Sequence, residues 1–461
     1  MPYTFGPPHA RPPASADGQF SRSLTTSAAS RGLNSYFRRD YMQDLAINGG
    51  PRAIDGTLPS FRDTSGRTFG QEEIEALTEV IKSGRLSFLT GPKTAEFEQA
   101  FAAKYGVKHA VAVANGTAAL HTAVIYLNPE PGDEIILSPV TDVGTAIPVI
   151  AQLAIPVFAD VDPVTQNIDP ASIEANITPR TRAIMVTHVY GHPADMEAIM
   201  AIAKKHKLVV IEDCAQAHLA YYKGKLCGTF GDVACFSFQQ SKHMTTGDGG
   251  MVITNEDGKF GRGLRHCSDK GWPRERGGRN HLFLAPNYHM TELQAAVGLE
   301  QLKKLEQFVG ARVSSADRLT ELLAGIDVRP VLPLEGTVGV YFFYSFRLDP
   351  TKLSAPVTEV MKALAAEGID GFIGYPGQIP LYRYPVIREH KTFGDSGWPF
   401  TLEGVRKIDY DSSLCPEAEL ACKETICMWW TDRLEERHLL QIASAIEKVI
   451  THYSARTYGR G

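Results

Sequence analysis

The chain has 461 residues, enough for two or three domains, and its 43% hydrophobic and 21% charged composition is that of an ordinary globular protein. A formal net charge of -5 offers no positive field for nucleic acid or acidic membranes, and no apolar run reaches the length of a bilayer span. Seven cysteines, an odd number with no CxxC pair, argue against a disulfide framework or a structural zinc and for a reducing cytoplasm.

Residues 1–45 are rich in Pro, Ser, Ala and Arg and poor in acid, which predicts a disordered tail. "GPPHARPP" cannot form the amphipathic helix of a transit signal. Regular structure starts with a helix over 70–83 closed by Gly84, then a second, "TAEFEQAFAAKYG", closed by Gly106. Strands and helices then alternate. "HAVAVA", "DEIILSP", "IPVFADV", "RAIMVTHV" and "LVVIED" read as strands; "GTAALHTAVIYL", "GTAIPVIAQLA" (kinked by its proline), "PASIEANI" and "DMEAIMAIAKKH" read as helices. Two further strands, "VACFSF" and "GGMVIT", lie close together. This pattern predicts an α/β large domain over 46–305 with a mostly parallel sheet between helices. From about 290 the chain predicts one or two long helices. Beyond them come short strands, a helix at "APVTEVMKALAAEG", a Tyr/Pro/Gly-rich loop over 372–396 and a last helix near 433–450. That is a smaller C-terminal α+β domain over 306–455.

Ligands of parallel α/β sheets bind at the carboxyl ends of the strands. Three stretches place polar residues there. In "VANGTAAL", Gly116 and Thr117 open a helix and can offer backbone N–H groups and a hydroxyl to a phosphate, although a plain capped turn reads the same way. In "VVIEDCAQAH", Glu212 and Asp213 end an apolar strand, where a buried carboxylate needs a cationic or hydrogen-bonded partner. In "FSFQQSKHMTTGDGG", Ser237 can add a hydroxyl to the phosphate site. Lys242 lies between two apolar strands, where desolvation lowers the pKa of its amine and suits it to a Schiff base. A lysine, a carboxylate for a ring nitrogen and a phosphate cup together fit pyridoxal 5'-phosphate. His188 and His192 in "HVYGHP" flank a turn with Gly191 and Pro193, and no metal is expected.

The same stretches, with "GPKTAEFEQAFAAKYGVKHAVAVANGTAALH", "ADVDPVTQNIDP", "HVYGHPADM" and "PNYHMTELQAAVGLEQL", resemble the DegT/DnrJ/StrS family from about residue 46 to 450. These are pyridoxal phosphate-dependent sugar or keto-cyclitol aminotransferases of fold type I. The resemblance implies that Lys242 carries the cofactor and later moves the proton, and that Asp213 pairs with its ring nitrogen. It implies that Gln216 meets the cofactor's 3'-oxygen and that Gly116, Thr117 and Ser237 hold its phosphate. It also implies that Asn287 reaches the phosphate of the other subunit's site, so that a homodimer shares its active sites. An amino group would pass from glutamate or glutamine to a keto-sugar, often nucleotide-linked, or to a keto-cyclitol. The product would serve an amino sugar, an antibiotic or a surface polysaccharide.

Two residues depart from the family pattern. "SPVTDVGT" has Asp142 where an aromatic usually stacks on the cofactor; an aspartate cannot stack but can hydrogen-bond the cofactor or substrate. "NYHM" has His289 where arginine is common. Arg85, Leu86, His243, Tyr375 and Tyr382 are the candidate substrate contacts. Two alternatives remain. Keto-sugar dehydratases of this kind carry histidine in place of the lysine, and some relatives bind the cofactor without catalysis. Lys242, Asp213, Gln216 and Ser237 together favour transamination.

Overall fold

The computed structural model describes residues 44–256, 258 and 263–454. The expected tail lies outside them apart from Asp44 and Leu45. Leu45 is already part of the fold: it is 1% exposed, and the next N–H, of Ala46, donates to Glu367 Oε1 at 2.8 Å.

The strands are β1 (His109–Val113), β2 (Glu134–Leu137), β3 (Ile155–Phe158), β4 (Thr181–Thr187), β5 (Val209–Asp213), β6 (Tyr221–Tyr222), β7 (Lys225–Leu226), β8 (Val233–Ser237) and β9 (Gly250–Thr254), then β10 (Arg329–Pro330), β11 (Thr337–Val338), β12 (Phe343–Arg347), β13 (Gly371–Ile373) and β14 (Thr425–Trp429). Seven of them form the main sheet, in the order β1-β9-β8-β5-β4-β2-β3. β3, β2, β4, β5 and β8 run parallel; β9 is antiparallel to both β8 and β1. β2, β3, β8 and β9 are buried at every residue, as strands covered on both faces must be, which is why they read as unbroken apolar runs.

Local chemistry sets the helix ends. The helix Gln71–Ser83 stops at Gly84 and Lys93–Tyr105 stops at Gly106, both glycines in the left-handed region that other residues enter at a cost. The expected kinked helix is instead a single turn, Val143–Thr145, followed by a short helix, Ile147–Ala151. Pro148 falls in the first turn of that helix, where its missing N–H has no intrahelical partner to lose, so it starts the helix and does not kink it.

The long C-terminal helical pattern is one helix of 31 residues, Glu292–Leu322. Ala295, Leu302, Leu305 and Val309 enter the hydrophobic cluster of the main sheet, whereas Ala316, Leu319 and the adjoining Leu323 enter a second cluster. The second cluster lies around the antiparallel sheet β10-β12-β14-β13 and the helices Val357–Glu367 and Glu436–Tyr453. One helix thus feeds both cores. The loop expected over 372–396 holds most of β13 and two short helical turns, Leu381–Arg383 and Pro385–Arg388. Among the described residues no helix is long and apolar enough to cross a membrane.

Candidate active site

The carboxyl ends of β1, β2, β5 and β8 share one edge of the main sheet, and a cavity of about 910 Å³ opens there. Its wall includes Gly116, Thr117, Asp142, Asp213, Ser237, Lys242 and Tyr375, seven of the residues singled out from the sequence.

Gly116 and Thr117 begin the helix Gly116–Leu127 directly after β1. Asn115 caps it: its side chain accepts from Ala118 N–H at 2.8 Å, and its carbonyl accepts from Ala119 N–H at 3.0 Å. The N–H groups of Gly116 and Thr117 remain at the positive end of the helix, facing an anion site. Ser237 closes the cup so tightly that a Cβ on Gly116 would lie 2.6 Å from Ser237 Cβ. Glycine is required here by the close approach.

Asp213 ends β5 and is 4% exposed. Its Oδ2 accepts from Thr145 Oγ1 at 3.0 Å and its Oδ1 from Ala215 N–H at 3.1 Å. Thr141 and Thr187 extend the hydroxyl chain behind Thr145. Among the described residues no cation lies within ion-pair distance of Asp213. Burial raises the pKa of its carboxyl, while these two donors and the more distant Lys242 only partly oppose the shift. A buried carboxylate on a cavity wall, short of a cation, fits a protonated ring nitrogen.

Lys242 sits in the turn after β8. Gln239 pins that turn, its Oε1 accepting from both the N–H and the hydroxyl of Ser241 at 2.7 Å. The Arg67 guanidinium donates to the carbonyls of Gln240 and Lys242. Gln240 Nε2 donates to Phe61 O at 2.9 Å. The two glutamines therefore fix the turn from which the lysine projects. Lys242 Nζ lies 4.0 Å from the centre of the Phe342 ring. Burial depresses its pKa from 10.5 to about 8, against the pull of Asp213 and Asp142.

Several expected site residues are not on this wall. Gln216 is 2% exposed and its Oε1 accepts from Tyr190 N–H at 2.9 Å. Asn287 stands beside the cavity residue Tyr288, and its Oδ1 accepts from His289 N–H at 3.3 Å. Arg85 and Leu86 are exposed and lie off the wall. His243 points away from the cavity: it is fully buried, with Nε2 on Val340 O at 2.9 Å. Tyr382 is fully buried and its hydroxyl donates to Glu419 Oε1 at 2.8 Å, which is a packing role. His289 pairs with Asp269, Nε2 to Oδ1 at 2.8 Å.

Other wall residues had no sequence signal: Thr145, Tyr288, Phe342, Phe343 and Trp429. Phe342 and Phe343 come from the start of β12, and Trp429 from the end of β14, its neighbour in the second sheet. The second sheet therefore supplies an aromatic side to the cavity.

Glu212, beside Asp213, has a different task. It accepts backbone N–H groups from Gly228, Phe230 and Gly231 at 2.7–2.8 Å and faces His188 Nε2 at 3.2 Å. His188 Nδ1 accepts from Ala194 N–H at 3.1 Å, so its Nε2 carries the proton that faces Glu212. His188, Glu212 and Cys214 lie close enough to resemble a metal site, but these bonds already occupy the histidine and the carboxylate. Glu212→Gln is expected to turn an amide N–H against those donors and to lower stability by about 3 kcal/mol, measured as a lower urea midpoint. An unchanged midpoint would refute this structural role.

A mostly parallel sheet with a lysine, a buried carboxylate and a small-residue cup at its carboxyl edge is an arrangement that fits a pyridoxal phosphate-dependent enzyme, and the comparisons make the class that of the aminotransferases. Within that class the chain belongs to the DegT/DnrJ/EryC1/StrS aminotransferase family, whose model matches residues 67–447. It is similar to an L-glutamine:2-deoxy-scyllo-inosose aminotransferase of Streptoalloteichus tenebrarius, 36% identical over 431 residues that cover 89% of this chain and 98% of the relative. It is also similar to a GDP-perosamine synthase of Caulobacter vibrioides, 42% identical over 60% of this chain and 74% of the relative. Among solved structures it is similar to 3-amino-5-hydroxybenzoic acid synthase, with a TM-score of 0.74 and 26% identity over 86% of this chain and all of that one.

Proposed function

We propose that the chain binds pyridoxal phosphate in this cavity and moves an amino group from L-glutamine or L-glutamate to the keto carbon of a cyclitol. The observation that carries the reading is Asp213, a buried carboxylate facing the cavity without a paired cation. When bound, the cofactor would supply a carbonyl carbon to carry the amino group and a protonated ring to accept carbanion charge. Asp213 would hold the ring nitrogen in its protonated state, with Thr145 and Ala215 N–H fixing the carboxylate's direction. Gly116, Thr117 and Ser237 would bind the phosphate. Lys242, with its amine depressed to about 8, can give up and take back a proton near neutral pH. The aromatic wall of Phe342, Phe343, Tyr375 and Trp429 would exclude water from one side.

A keto-cyclitol acceptor is supported by the near full-length likeness to the scyllo-inosose enzyme. A nucleotide-linked keto-sugar is the second reading, supported by the likeness to the GDP-perosamine synthase. A homodimer in the cytoplasm, with Asn287 serving the second copy's site, completes the proposal. Leu284, 90% exposed and three residues before Asn287, is the kind of side chain a second copy would cover. Turnover with 2-deoxy-scyllo-inosose and with a GDP-linked keto-sugar, each with L-glutamine, tests the acceptor. Amination of the cyclitol alone is expected; amination of the nucleotide sugar alone would overturn that choice.

Gly116→Ala tests the phosphate cup. The added Cβ would meet Ser237 and displace the cup, so cofactor affinity is expected to fall by about tenfold or more in a titration read by visible absorbance. Unaltered affinity would show that the phosphate is held elsewhere.

A further inference from the structure

The turn that carries Lys242 is held from outside its own segment. Ahead of the helix Gln71–Ser83, residues 60–66 close a tight loop: Gly66 N–H donates to Ser60 O at 3.1 Å, and a Cβ on Gly66 would lie 2.5 Å from the Ser60 carbonyl. That loop delivers Arg67, which is 5% exposed. One terminal nitrogen of its guanidinium donates to the Lys242 carbonyl at 2.6 Å, and the other donates to the Gln240 carbonyl. The turn grips the loop in return, through Gln240 Nε2 on Phe61 O. The Phe61 ring packs 4.4 Å from that of Trp429 on the cavity wall.

Stability alone does not account for an arginine here. Among the described residues no carboxylate lies within ion-pair distance of Arg67, and its Nε has no hydrogen-bond partner. Burial and the charge of Arg312 both disfavour the charged guanidinium, and Asp432 offsets them only in part. A buried charge without a paired acid costs more than neutral donors would. What the guanidinium supplies is a planar fork that grasps two carbonyls at once. Arg312 repeats the arrangement: it is fully buried, and its Nη1 donates to Tyr341 O at 3.2 Å. Tyr341 precedes Phe342, whose ring centre lies 4.0 Å from Lys242 Nζ. The cost of two buried cations thus falls on the two backbone segments that set the lysine amine in place, where the chemistry needs a fixed geometry.

We propose that Arg67 is a positioning residue for Lys242, its fork fixing the backbone from which the amine reaches the cofactor. The inference rests on the reading of the cavity as a pyridoxal phosphate site and adds to it a residue that is not on the cavity wall.

The test uses Arg67→Lys, which keeps a charge and a donor but cannot hold both carbonyls. The cofactor-free protein is mixed with pyridoxal 5'-phosphate, and growth of the yellow band reads capture by the lysine. It is separately titrated with pyridoxamine 5'-phosphate, which has the same ring and phosphate but forms no bond with an amine. The variant is expected to capture pyridoxal phosphate about tenfold more slowly while its affinity for pyridoxamine phosphate stays within about threefold of the wild type. Equal losses in both would show a general structural role, and capture at the wild-type rate would show that the turn holds itself; either result overturns the proposal. Arg67→Ala gives a second reading that does not depend on that variant. Guanidinium ion at a non-denaturing concentration is expected to restore its capture rate and ammonium ion is not; no restoration, or equal restoration by both, also overturns the proposal. Failure of the underlying reading has a separate signature: the wild type itself forms no yellow band with pyridoxal phosphate.

Discussion

Lys242→Met is expected to abolish amino transfer and, in the cofactor-free protein, to raise stability. Both effects have one cause. The lysine lies on the cavity wall, largely out of solvent, and desolvation brings its amine's pKa from 10.5 to about 8. Asp213 and Asp142 oppose the shift without cancelling it. In the window between about 8 and 10.5 the unfolded chain holds a proton that the folded chain has released, so stability rises with pH across it. Below about 8 the penalty is present in full, on the order of 3 kcal/mol. Methionine fills the space beside Phe342 without a charge. The cofactor-free variant should therefore unfold at higher urea than the wild type at pH 7, and the difference should shrink as pH rises toward 10. A variant less stable at pH 7, or a difference that ignores pH, would contradict the assigned burial of the amine. Full transamination by the variant would contradict the role of the lysine.

Asp213→Asn is expected to leave a folded protein that binds the cofactor weakly and turns over about a thousandfold more slowly. Asparagine keeps the shape and can still meet Thr145 and Ala215, but it carries no charge to hold a ring proton. The cofactor-free protein gives an independent reading. Burial raises the pKa of Asp213, so above the ordinary carboxylate value the folded chain keeps a proton that the unfolded chain has lost. Stability falls with rising pH through that window, and the asparagine variant should lack that fall. It should also draw the Lys242 amine below about 8, because Asp213 contributes the larger of the two charges that lift it. A variant with wild-type rate would show that the ring proton, if any, is held by another group.

The parts of the site that were readable from the sequence are those set by local rules. A strand that ends in "AN" before "GT" and an apolar run marks both the end of β1 and the mouth of the helix Gly116–Leu127. Asn115, Gly116 and Thr117 follow from capping and helix polarity alone. Lys242 was marked by its position between two apolar strands. Glu212 and Asp213 illustrate where local reading needs the pleat: successive strand residues face opposite sides, so only one of two adjacent carboxylates can face the cavity. Asp213 does, while Glu212 ties down Gly228, Phe230 and Gly231. In the turn after β8, Lys242 lines the cavity while the ring of the next residue, His243, turns to Val340.

The aromatic wall was not readable. Phe342, Phe343 and Trp429 reach the cavity because β12 and β14 pair, a contact between segments distant in sequence that no local pattern encodes. β14 was also hidden, because it follows the helix Pro416–Glu424 with no turn residues between them. The sequence pattern puts Thr145 in a kinked helix, whereas its bond to Asp213 depends on how the loop after β2 folds over the end of β5.

We propose that this cavity holds pyridoxal phosphate on Lys242 and accepts an amino group from an amino acid. The most direct test is the visible and near-ultraviolet spectrum of the cofactor-loaded protein before and after addition of L-glutamine, with L-glutamate in parallel. A yellow band that gives way to the shorter-wavelength band of the cofactor's amine form with at least one of the two is the predicted result. A band that neither amino acid alters, or no band after added pyridoxal phosphate, would contradict it.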